Sequence, residues 1–401
     1  MQSLDVAPVG AHSAARPGWW DAVREPLQRR LDAWFSDPAL YRWAIANPLT
    51  RWVTRRRTAR LFDLMAGFVH SQVLLSCVRL GLFARLKEQP LTLEALARHT
   101  QIEPPALQRL LLSAVALKLL EHRSMGRFGL GPLGAPLARQ DGIAAMIEHN
   151  NLLYQDLLQP VAFLRDAWGG SMAGYWPYAH GKMPALSGSA DAGGAAGAAL
   201  EPVARYSELM ASSQNFVIQE ILASYPLSGH RRLLDVGGGK GRFISAVARQ
   251  YPALELTLFD LPPVLEVARS ALHTAGLGAR VALHPGSFLA DALPVGADVI
   301  TLIRVAHDHC DASVRDILRA IYQALPAGGK LVLAEPMAQA PGERPQPSDA
   351  YFHYYLLAMG AGRLRSHGEL AALMRASGFA AVTLLDNAMP IHARILVGTK
   401  V

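Results

Sequence analysis

Residues 231–260, RRLLDVGGGKGRFISAVARQYPALELTLFD, constrain the fold of this 401-residue chain more than any other stretch. A short apolar run ends at Asp235. Four glycines lie within positions 237–241, and apolar residues then recur at helical spacing. This order predicts a strand, a tight turn and a helix. A second apolar run, which ends at Asp260, predicts a neighbouring parallel strand. Alternating strands and helices of this kind form a doubly wound parallel sheet.

The glycine turn is suited to a ligand. Glycine lets the backbone come close to a bound group, and an acidic residue that ends the next strand can accept hydrogen bonds from ribose hydroxyls. Two ligands fit this pattern: a dinucleotide, with its pyrophosphate at the helix start, and S-adenosylmethionine, whose ammonium Asp235 can face. Phe243 replaces the third glycine of a dinucleotide motif, which favours S-adenosylmethionine. A turn that serves only sheet packing is the alternative, because a glycine-rich turn alone is weak evidence.

The C-terminal part continues the alternation of helix and strand. Its expected helices cover residues 262–275, 311–325 and 367–377, and its expected strands cover residues 280–284, 297–303 and 329–335. Two final extended runs, at residues 380–386 and 391–399, predict a hairpin that adds an antiparallel strand to the sheet.

The N-terminal part reads as helices followed by a winged-helix arrangement. Residues 62–86 carry apolar side chains round most of a helix, so we expect this helix to be buried against a partner subunit. Two helices and a small hairpin at 127–137 follow, with Thr92 as an N-cap. A DNA-binding winged helix is the alternative, but the would-be recognition helix, Pro104–Leu120, offers too little charge to hold phosphates. The predicted domains are leader helices at 1–57, a winged-helix dimerisation domain at 58–141, a helical substrate-facing segment at 142–225 with a flexible loop at 184–199, and a ligand-binding domain at 226–401.

The net charge of +7 is concentrated in one short segment. This segment holds Arg51, Arg55, Arg56, Arg57 and Arg60, preceded by Trp43 and Trp52. Three interpretations are open: a solvated helical face, contact with an anionic membrane surface, and contact with nucleic acid. We expect no membrane-spanning stretch, because no apolar run reaches ~20 residues. Two cysteines, Cys77 and Cys310, predict neither a disulfide framework nor a metal site, and suit a cytoplasmic protein.

Residues 142–182 are rich in side chains that suit a substrate pocket. They include Trp168, Tyr175, Trp176 and Tyr178. The residues predicted to line the pocket are Met146, His149, Asn150, Tyr154, His353 and Met359.

Three motifs resemble one enzyme family. DVGGGKG with FDLPPV resembles the cofactor motif of S-adenosylmethionine-dependent O-methyltransferases of the caffeic acid and acetylserotonin type, and LGLF at 80–83 resembles their dimerisation domain. LIRVAHDHCD resembles their H-D-W signature at the end of a strand. The resemblance implies a class I methyltransferase sheet, a homodimer formed through the N-terminal domain, no nucleic acid partner, and S-adenosyl-L-homocysteine as the product of the cofactor.

The resemblance also implies roles for individual residues. His307 corresponds to the general base, with Asp308 beside it, and Glu335 corresponds to the glutamate that orients the base. The residues implied for cofactor binding are Asp235, Gly237, Gly239, Asp260, Leu261, Ser287, Phe288 and Arg304.

Three positions depart from the plant members of the family. His309 stands in place of the tryptophan after H-D, Ser287 in place of an acidic residue, and Leu364 in place of a second orienting glutamate. Together with RVAHDHCD and MIEHNNLLYQDLLQPVAFLR, these departures resemble the hydroxyneurosporene (demethylspheroidene) O-methyltransferases of purple photosynthetic bacteria. That resemblance implies methylation of a tertiary hydroxyl on a carotenoid, by a cytoplasmic enzyme with peripheral contact to the photosynthetic inner membrane.

Other functions stay open at this stage. A phenolic or polyketide acceptor would keep the enzyme class, whereas some relatives bind S-adenosylmethionine but hydroxylate or decarboxylate their substrates. A winged-helix DNA-binding regulator is the non-enzymatic alternative.

Overall fold

The computed structural model describes residues 19–139, 141–165, 170–175, 215, 217–360, 362–391 and 393–401. The chain divides into two compact units, Met1–Ser76 and Cys77–Val401. The predicted loop at 184–199 lies outside the described residues, as do Trp168, Trp176 and Tyr178 and the side chain of Tyr175.

Three helices make up the described part of the first unit. They are α1 (Trp19–Phe35), α2 (Pro38–Ala46) and α3 (Pro48–Arg79), the last of which ends three residues into the second unit. Asp37 caps α2 by accepting a hydrogen bond from the Ala39 N–H at 2.7 Å. Helix α3 is continuous across the predicted domain boundary at 57/58, and the domain boundaries stay predictions.

Helix α3 is long and apolar enough to cross a membrane by length and composition. Core helices of soluble proteins meet the same criterion, because it averages hydropathy over about 20 residues and tolerates single polar residues such as Asp63 and His70. The expectation that the chain has no membrane-spanning stretch therefore stays a prediction.

The second unit begins with the winged-helix arrangement. Its elements are α4 (Leu82–Glu88), β1 (Leu91–Thr92), α5 (Leu93–Thr100), α6 (Pro104–Ala116), β2 (Leu120–Arg123) and β3 (Arg127–Leu130), followed by a 3₁₀ turn at Pro136–Arg139. Thr92 caps α5, as predicted, by accepting the Ala95 N–H at 3.3 Å. The hairpin lies earlier than predicted. Lys118 adopts a left-handed conformation (φ 58°), so α6 ends before Leu120, and the chain enters β2 instead.

A helical segment separates the winged helix from the main sheet. It comprises α7 (Asp141–Asp156), α8 (Pro160–Arg165), α9 (Ser171–Tyr175) and α10 (217–224). The Asp156 carboxylate fixes the start of α9 by accepting the N–H groups of Ser171 at 2.6 Å and Met172 at 2.9 Å.

The main sheet has seven strands and confirms the predicted fold class. Its helices and strands are β4 (Arg232–Val236), α11 (Arg242–Gln250), β5 (Glu255–Asp260), α12 (Pro262–Thr274), β6 (Val281–Pro285), β7 (Val299–Ile303), α13 (Asp311–Ala324), β8 (Lys330–Glu335), α14 (Pro347–Met359), α15 (His367–Ala376), β11 (Ala380–Leu385) and β12 (Arg394–Thr399). The strand order is β11-β12-β8-β7-β4-β5-β6, with β12 antiparallel to β8 and every pair from β8 to β6 parallel. The terminal hairpin was predicted, whereas α14 and a short parallel pair, β9 (Met337–Ala338) with β10 (Arg365–Ser366), were not.

The core lies on both faces of this sheet. Leu233 packs into one apolar cluster and its neighbour Leu234 into the other, because successive side chains of a strand point to opposite faces. Both faces are covered, so the central strands are continuous apolar runs rather than alternating ones. This arrangement brings the carboxyl ends of β4, β5, β7 and β8 to one edge, where Asp235, Asp260, His307 and Glu335 lie.

Candidate active site

The glycine turn after β4 brings the backbone close to an acidic side chain. Gly237 has a left-handed conformation (φ 68°) and donates its N–H to the Phe259 carbonyl at 2.9 Å. Gly238 lies so near the Asp235 carboxylate and Leu258 that an added Cβ would overlap both. Larger residues would therefore displace either the turn or the carboxylate.

Asp235 is a buried carboxylate with one unpaired oxygen. Its Oδ1 accepts a hydrogen bond from the Thr301 hydroxyl at 2.7 Å, and its Oδ2 has no partner among the described residues. Burial raises the pKa of Asp235 to about 7, against the lowering effect of the Thr301 bond. Because an unpaired buried carboxylate is unfavourable, this oxygen suits a cationic ligand group.

Asp260 holds the glycine turn against β5. Its Oδ2 accepts the Gly239 N–H at 2.8 Å, and its Oδ1 accepts the Leu261 N–H at 2.7 Å. Burial raises its pKa to about 6, although both backbone hydrogen bonds lower it. The structure thus brings together Asp260, Leu261 and the predicted glycines.

Ser287 and Phe288 follow β6 at the same edge. The Ser287 N–H donates to Asp291 Oδ2 at 2.8 Å, so an acidic side chain does lie beside Ser287. Asp291 was not predicted from the sequence as a site residue. Phe288 packs edge-on against His309 with 5.4 Å between ring centroids, and it lies close to Gly237.

His307 lies in a 3₁₀ turn, Ala306–Asp308, that directly follows β7. Its Nδ1 is 2.5 Å from Glu335 Oε2, and its Nε2 is 3.3 Å from Asp308 Oδ1. All three side chains are less than 8% exposed. The structure therefore brings together the three residues that the sequence proposed as catalytic.

Glu335 fixes the turn as well as the imidazole. Its Oε1 accepts the N–H groups of Val305 at 2.9 Å and Ala306 at 2.6 Å, while its Oε2 bonds His307. A single carboxylate at the end of β8 thereby holds the carboxyl end of β7 in place. Three hydrogen bonds offset the large cost of burying this charge.

Charges around His307 favour its protonated form. Burial lowers the pKa of His307, but the charges of Asp308 and Glu335 and the hydrogen bond to Glu335 together raise it above its usual value. Burial also raises the pKa of Asp308. The positive charge of Arg304 lowers the pKa of both His307 and Asp308, and so opposes their net rise. Arg304 adopts a left-handed conformation (φ 54°) at the end of β7.

His309 behaves differently from His307. Burial lowers its pKa to about 4, and the neighbouring charge of His307 lowers it further. His309 is therefore neutral near pH 7 and packs as an aromatic ring against Phe288.

Helices α7 and α14 form a polar and aromatic border beside the catalytic turn. His149 Nε2 lies 3.2 Å from the Tyr355 hydroxyl, and the Tyr351 hydroxyl donates to Asn150 Oδ1 at 2.9 Å. Helix α14 also contacts the 3₁₀ turn of His307. Tyr351 and Tyr355 were missed from sequence, although their spacing of four would place them on one face of a helix.

Burial dominates the titration of the side chains in this border. It raises the pKa of Tyr351 to about 12. The charge of Arg304 lowers this pKa and that of Tyr154 raises it, so both side chains lie near Tyr351. Burial likewise lowers the pKa of His149 to about 4.

The other proposed pocket residues lie in different surroundings. Met146 is half-buried, Met359 is buried in an apolar cluster with Leu153 and Phe163, and His353 is exposed on α14. Their roles stay predictions, as do those of the other site residues.

Comparison with known proteins places this geometry in a family. An O-methyltransferase domain model matches residues 154–380, and an O-methyltransferase dimerisation domain model matches residues 62–140. The second match indicates a homodimer.

Individual relatives agree with the family models. The chain is 43% identical over 356 residues to demethylspheroidene O-methyltransferase of Cereibacter sphaeroides, covering 88% of this chain and 90% of the relative. Identity to the same enzyme of Rhodobacter capsulatus is 41% over 350 residues, covering 87% and 84%. The structure of human N-acetylserotonin methyltransferase in complex with SAM has the same fold, with a TM-score of 0.69 at 22% identity over 86% of this chain and 97% of that one. The chain belongs to the O-methyltransferase family and carries its dimerisation domain.

Proposed function

We propose that this enzyme transfers the methyl group of S-adenosylmethionine to the tertiary hydroxyl of a 1-hydroxycarotenoid such as hydroxyneurosporene or demethylspheroidene. The observation that carries the proposal is the 43% identity, over almost the whole of both chains, to demethylspheroidene O-methyltransferase. A base site at the end of β7, bordered by apolar and aromatic side chains, is compatible with this chemistry.

The residues at the strand ends fit S-adenosylmethionine. The unpaired Oδ2 of Asp235 suits the ammonium of the cofactor, and Asp260 suits its ribose hydroxyls. Phe288 offers an aromatic face for the adenine, near Ser287 and Asp291. The cofactor supplies an electrophilic methyl group when bound.

The protein must align the acceptor oxygen and remove its proton. Alignment can contribute up to ~7–11 kcal/mol, and a positioned base typically adds ~10²–10⁴-fold. A tertiary alcohol is a weak acid, so the base matters more here than for a phenol. In its neutral form His307 donates its Nδ1–H to Glu335, which leaves the Nε2 lone pair to accept the hydroxyl proton.

Glu335 then stabilises the protonated imidazole that results. Asp308, near Nε2 at 3.3 Å, is placed to receive the proton or to stabilise its charge. The raised pKa of His307 makes it a stronger base but also keeps it protonated at low pH.

The border of α7 and α14 suits an acceptor that is mostly hydrocarbon. Its apolar cluster includes Leu153, Phe163, Leu356 and Met359, and Asn150 with Tyr351 adds a polar contact.

A phenolic or polyketide acceptor is the second candidate. Leu364 is buried in this same cluster and supplies no carboxylate, which favours the aliphatic hydroxyl.

The acceptor is tested by incubating the enzyme with labelled S-adenosylmethionine and a panel of hydroxycarotenoids, phenols and phenolic polyketides. We expect one methyl group to be added to the 1-hydroxycarotenoids, detected by product mass, and little labelling of the phenols. Preferential methylation of a phenol would overturn the carotenoid assignment but not the enzyme class.

Replacing the proposed base should reduce turnover more than cofactor affinity. We expect His307→Ala to lower kcat by ~10²–10⁴-fold and leave the Kd for S-adenosylhomocysteine nearly unchanged. The wild-type rate should rise with pH through a step above pH 6.5, because the reactive form is the neutral imidazole, whose pKa is raised. His273→Ala, on the exposed face of α12, is the control. Full activity of His307→Ala would exclude the base role.

Cofactor affinity should depend on the charge of Asp235. We expect Asp235→Asn to weaken binding of S-adenosylhomocysteine by ~10–100-fold in calorimetry, because a charge-assisted hydrogen bond is lost. Wild-type affinity should rise from pH 6 to pH 8, since only the deprotonated carboxylate, with a pKa of about 7, pairs with the ammonium. An identical pH dependence in Asp235→Asn would show that another group is responsible. Asp316→Asn, on the surface of α13, is the matched control.

We further propose that residues 24–60 bind the anionic surface of a membrane, with the enzyme peripheral to the cytoplasmic face. This segment holds nine arginines and three acidic residues, and none of its side chains is buried. Trp34, Trp43 and Trp52 are each more than half exposed. Such a combination of arginine and tryptophan suits a lipid interface, where each cation contributes ~1 kcal/mol.

Two further observations support a lipid partner for this segment. Arg56 lies over the Trp52 ring and Arg57 over the Phe35 ring, so cationic and aromatic groups share one surface. The segment also precedes residues 62–140, the part of the chain that matches the dimerisation domain. A carotenoid acceptor would have to be taken from the bilayer.

Vesicle cosedimentation tests the membrane proposal. We expect the full-length enzyme to bind vesicles that contain anionic phospholipid and to bind neutral phosphatidylcholine vesicles weakly, with salt weakening the former. Replacing Arg51, Arg55, Arg56, Arg57 and Arg60 by Gln should abolish most of this binding. The control replaces five exposed arginines of the second unit by Gln, namely Arg98, Arg249, Arg269, Arg315 and Arg319. Equal loss in both variants would contradict a specific surface.

A further inference from the structure

Arg365 is a buried arginine that bonds the backbone on both sides of His307. It lies in β10 and is only 2% exposed. Its Nη1 donates to the Ala306 carbonyl at 2.8 Å, and its Nη2 donates to the His309 carbonyl at 2.7 Å. The planar guanidinium therefore bridges the two ends of the turn that carries the imidazole.

The chain next to Arg365 contacts the same turn from the same side. The Arg363 N–H donates to the His307 carbonyl at 3.0 Å. Gly362 lies so close to this carbonyl that an added Cβ would overlap it. Residues 362–365 thus bond three carbonyls between Ala306 and His309, whereas Glu335 bonds the N–H groups of Val305 and Ala306.

Asp311 neutralises and aligns the buried guanidinium. Its Oδ1 accepts the Arg365 Nε–H at 2.8 Å, and both of its oxygens also pair with Arg363. Although burial raises the pKa of Asp311, the hydrogen bonds from Arg363 and Arg365 lower it to about 2. The pair is therefore ionised throughout the working pH range, and Arg365 keeps its geometry.

We propose that Arg365 is a positioning residue, which holds the turn so that the His307 imidazole stays bonded to Glu335. The inference rests on the proposed function, in which His307 is the base. Without the guanidinium, the carbonyls of Ala306 and His309 lose their buried donors, and the turn moves away from β8. The hydrogen bond from His307 to Glu335 then lengthens.

The position of His307 can be measured through its own titration. The titratable and charged groups around the imidazole are Asp308 in its own turn, His309 directly after it, Arg304 at the end of β7, Glu335 on β8 and Arg365 on β10. Helix α14, which contacts the turn, carries Tyr351 near Arg304. Burial lowers the pKa of His307, and the contact with Glu335 is among the effects that raise it. Loosening that contact while the imidazole stays buried therefore lowers the pKa of His307.

The experiment compares Arg365→Lys and Arg365→Gln with the wild-type homodimer. Lysine keeps the charge but cannot bridge both carbonyls and Asp311, and glutamine removes the charge as well. NMR of histidine labelled at Cε1, with His307→Asn to assign the resonance, should show a lower pKa of His307 in Arg365→Lys, which keeps the nearby positive charge. In Arg365→Gln the loss of this charge raises the pKa of His307 and opposes the shift, so that variant is compared by kcat. With hydroxyneurosporene as acceptor, kcat should fall by ~10–100-fold, as expected for a displaced catalytic group, with little change in S-adenosylhomocysteine affinity.

Arg363→Gln is the matched control. It removes side-chain pairing with Asp311 and Glu369 but keeps the N–H that bonds His307. We expect the wild-type titration of His307 in this variant. An unchanged titration of His307 in folded Arg365→Lys would overturn the inference. Failure of Arg365→Lys and Arg365→Gln to form dimers, when Arg363→Gln does form them, would also overturn it. The titration requires no acceptor, so a negative result with carotenoids would contradict the proposed function and leave this test intact.

Discussion

The carboxylate of Glu335 is the interaction on which the geometry of the site depends. It is 1% exposed, and its two oxygens bond an imidazole and two backbone N–H groups of the neighbouring strand end. A buried carboxylate would be strongly unfavourable without such partners. The same charge therefore constrains the position of His307 and strengthens it as a base, so structural and chemical requirements are met by one side chain.

Buried acids are used in the same way along the rest of the sheet edge. Asp260 bonds the glycine turn to β5, and Asp235 bonds Thr301 on β7. Each acid is the last or the second-last residue of its strand, so each joins neighbouring segments at the edge where parallel sheets bind ligands. Asp235 differs because one of its oxygens has no hydrogen-bond partner among the described residues. That oxygen is suited to a ligand, whereas the oxygens of Asp260 and Glu335 bond other parts of the fold.

Much of this arrangement could be predicted because its signals are local. The strand, glycine turn and helix are contiguous in sequence. Asp235, Asp260 and Glu335 each lie directly at the end of an apolar run, so each can be placed from its own neighbours. The errors also have local causes. The hairpin of the winged helix was placed too late because Lys118 ends α6 through its backbone conformation rather than through a proline or glycine. Helix α14 was missed because tyrosines interrupt its apolar pattern, and two of them hydrogen-bond to α7.

Other parts of the site arise only from tertiary contacts. Tyr351 and Asn150 are 201 residues apart and Arg365 and Ala306 are 59 apart, yet each pair is hydrogen-bonded. No local pattern specifies such partners, because the sheet topology decides which segments meet. The sequence by itself determined the doubly wound sheet, the acids at its strand ends and the histidine after β7, since periodicity and turn chemistry act over a few residues. Only the tertiary structure decided that His307 lies between two carboxylates and that a buried arginine holds its turn, since burial and long-range pairing exist only in the folded chain.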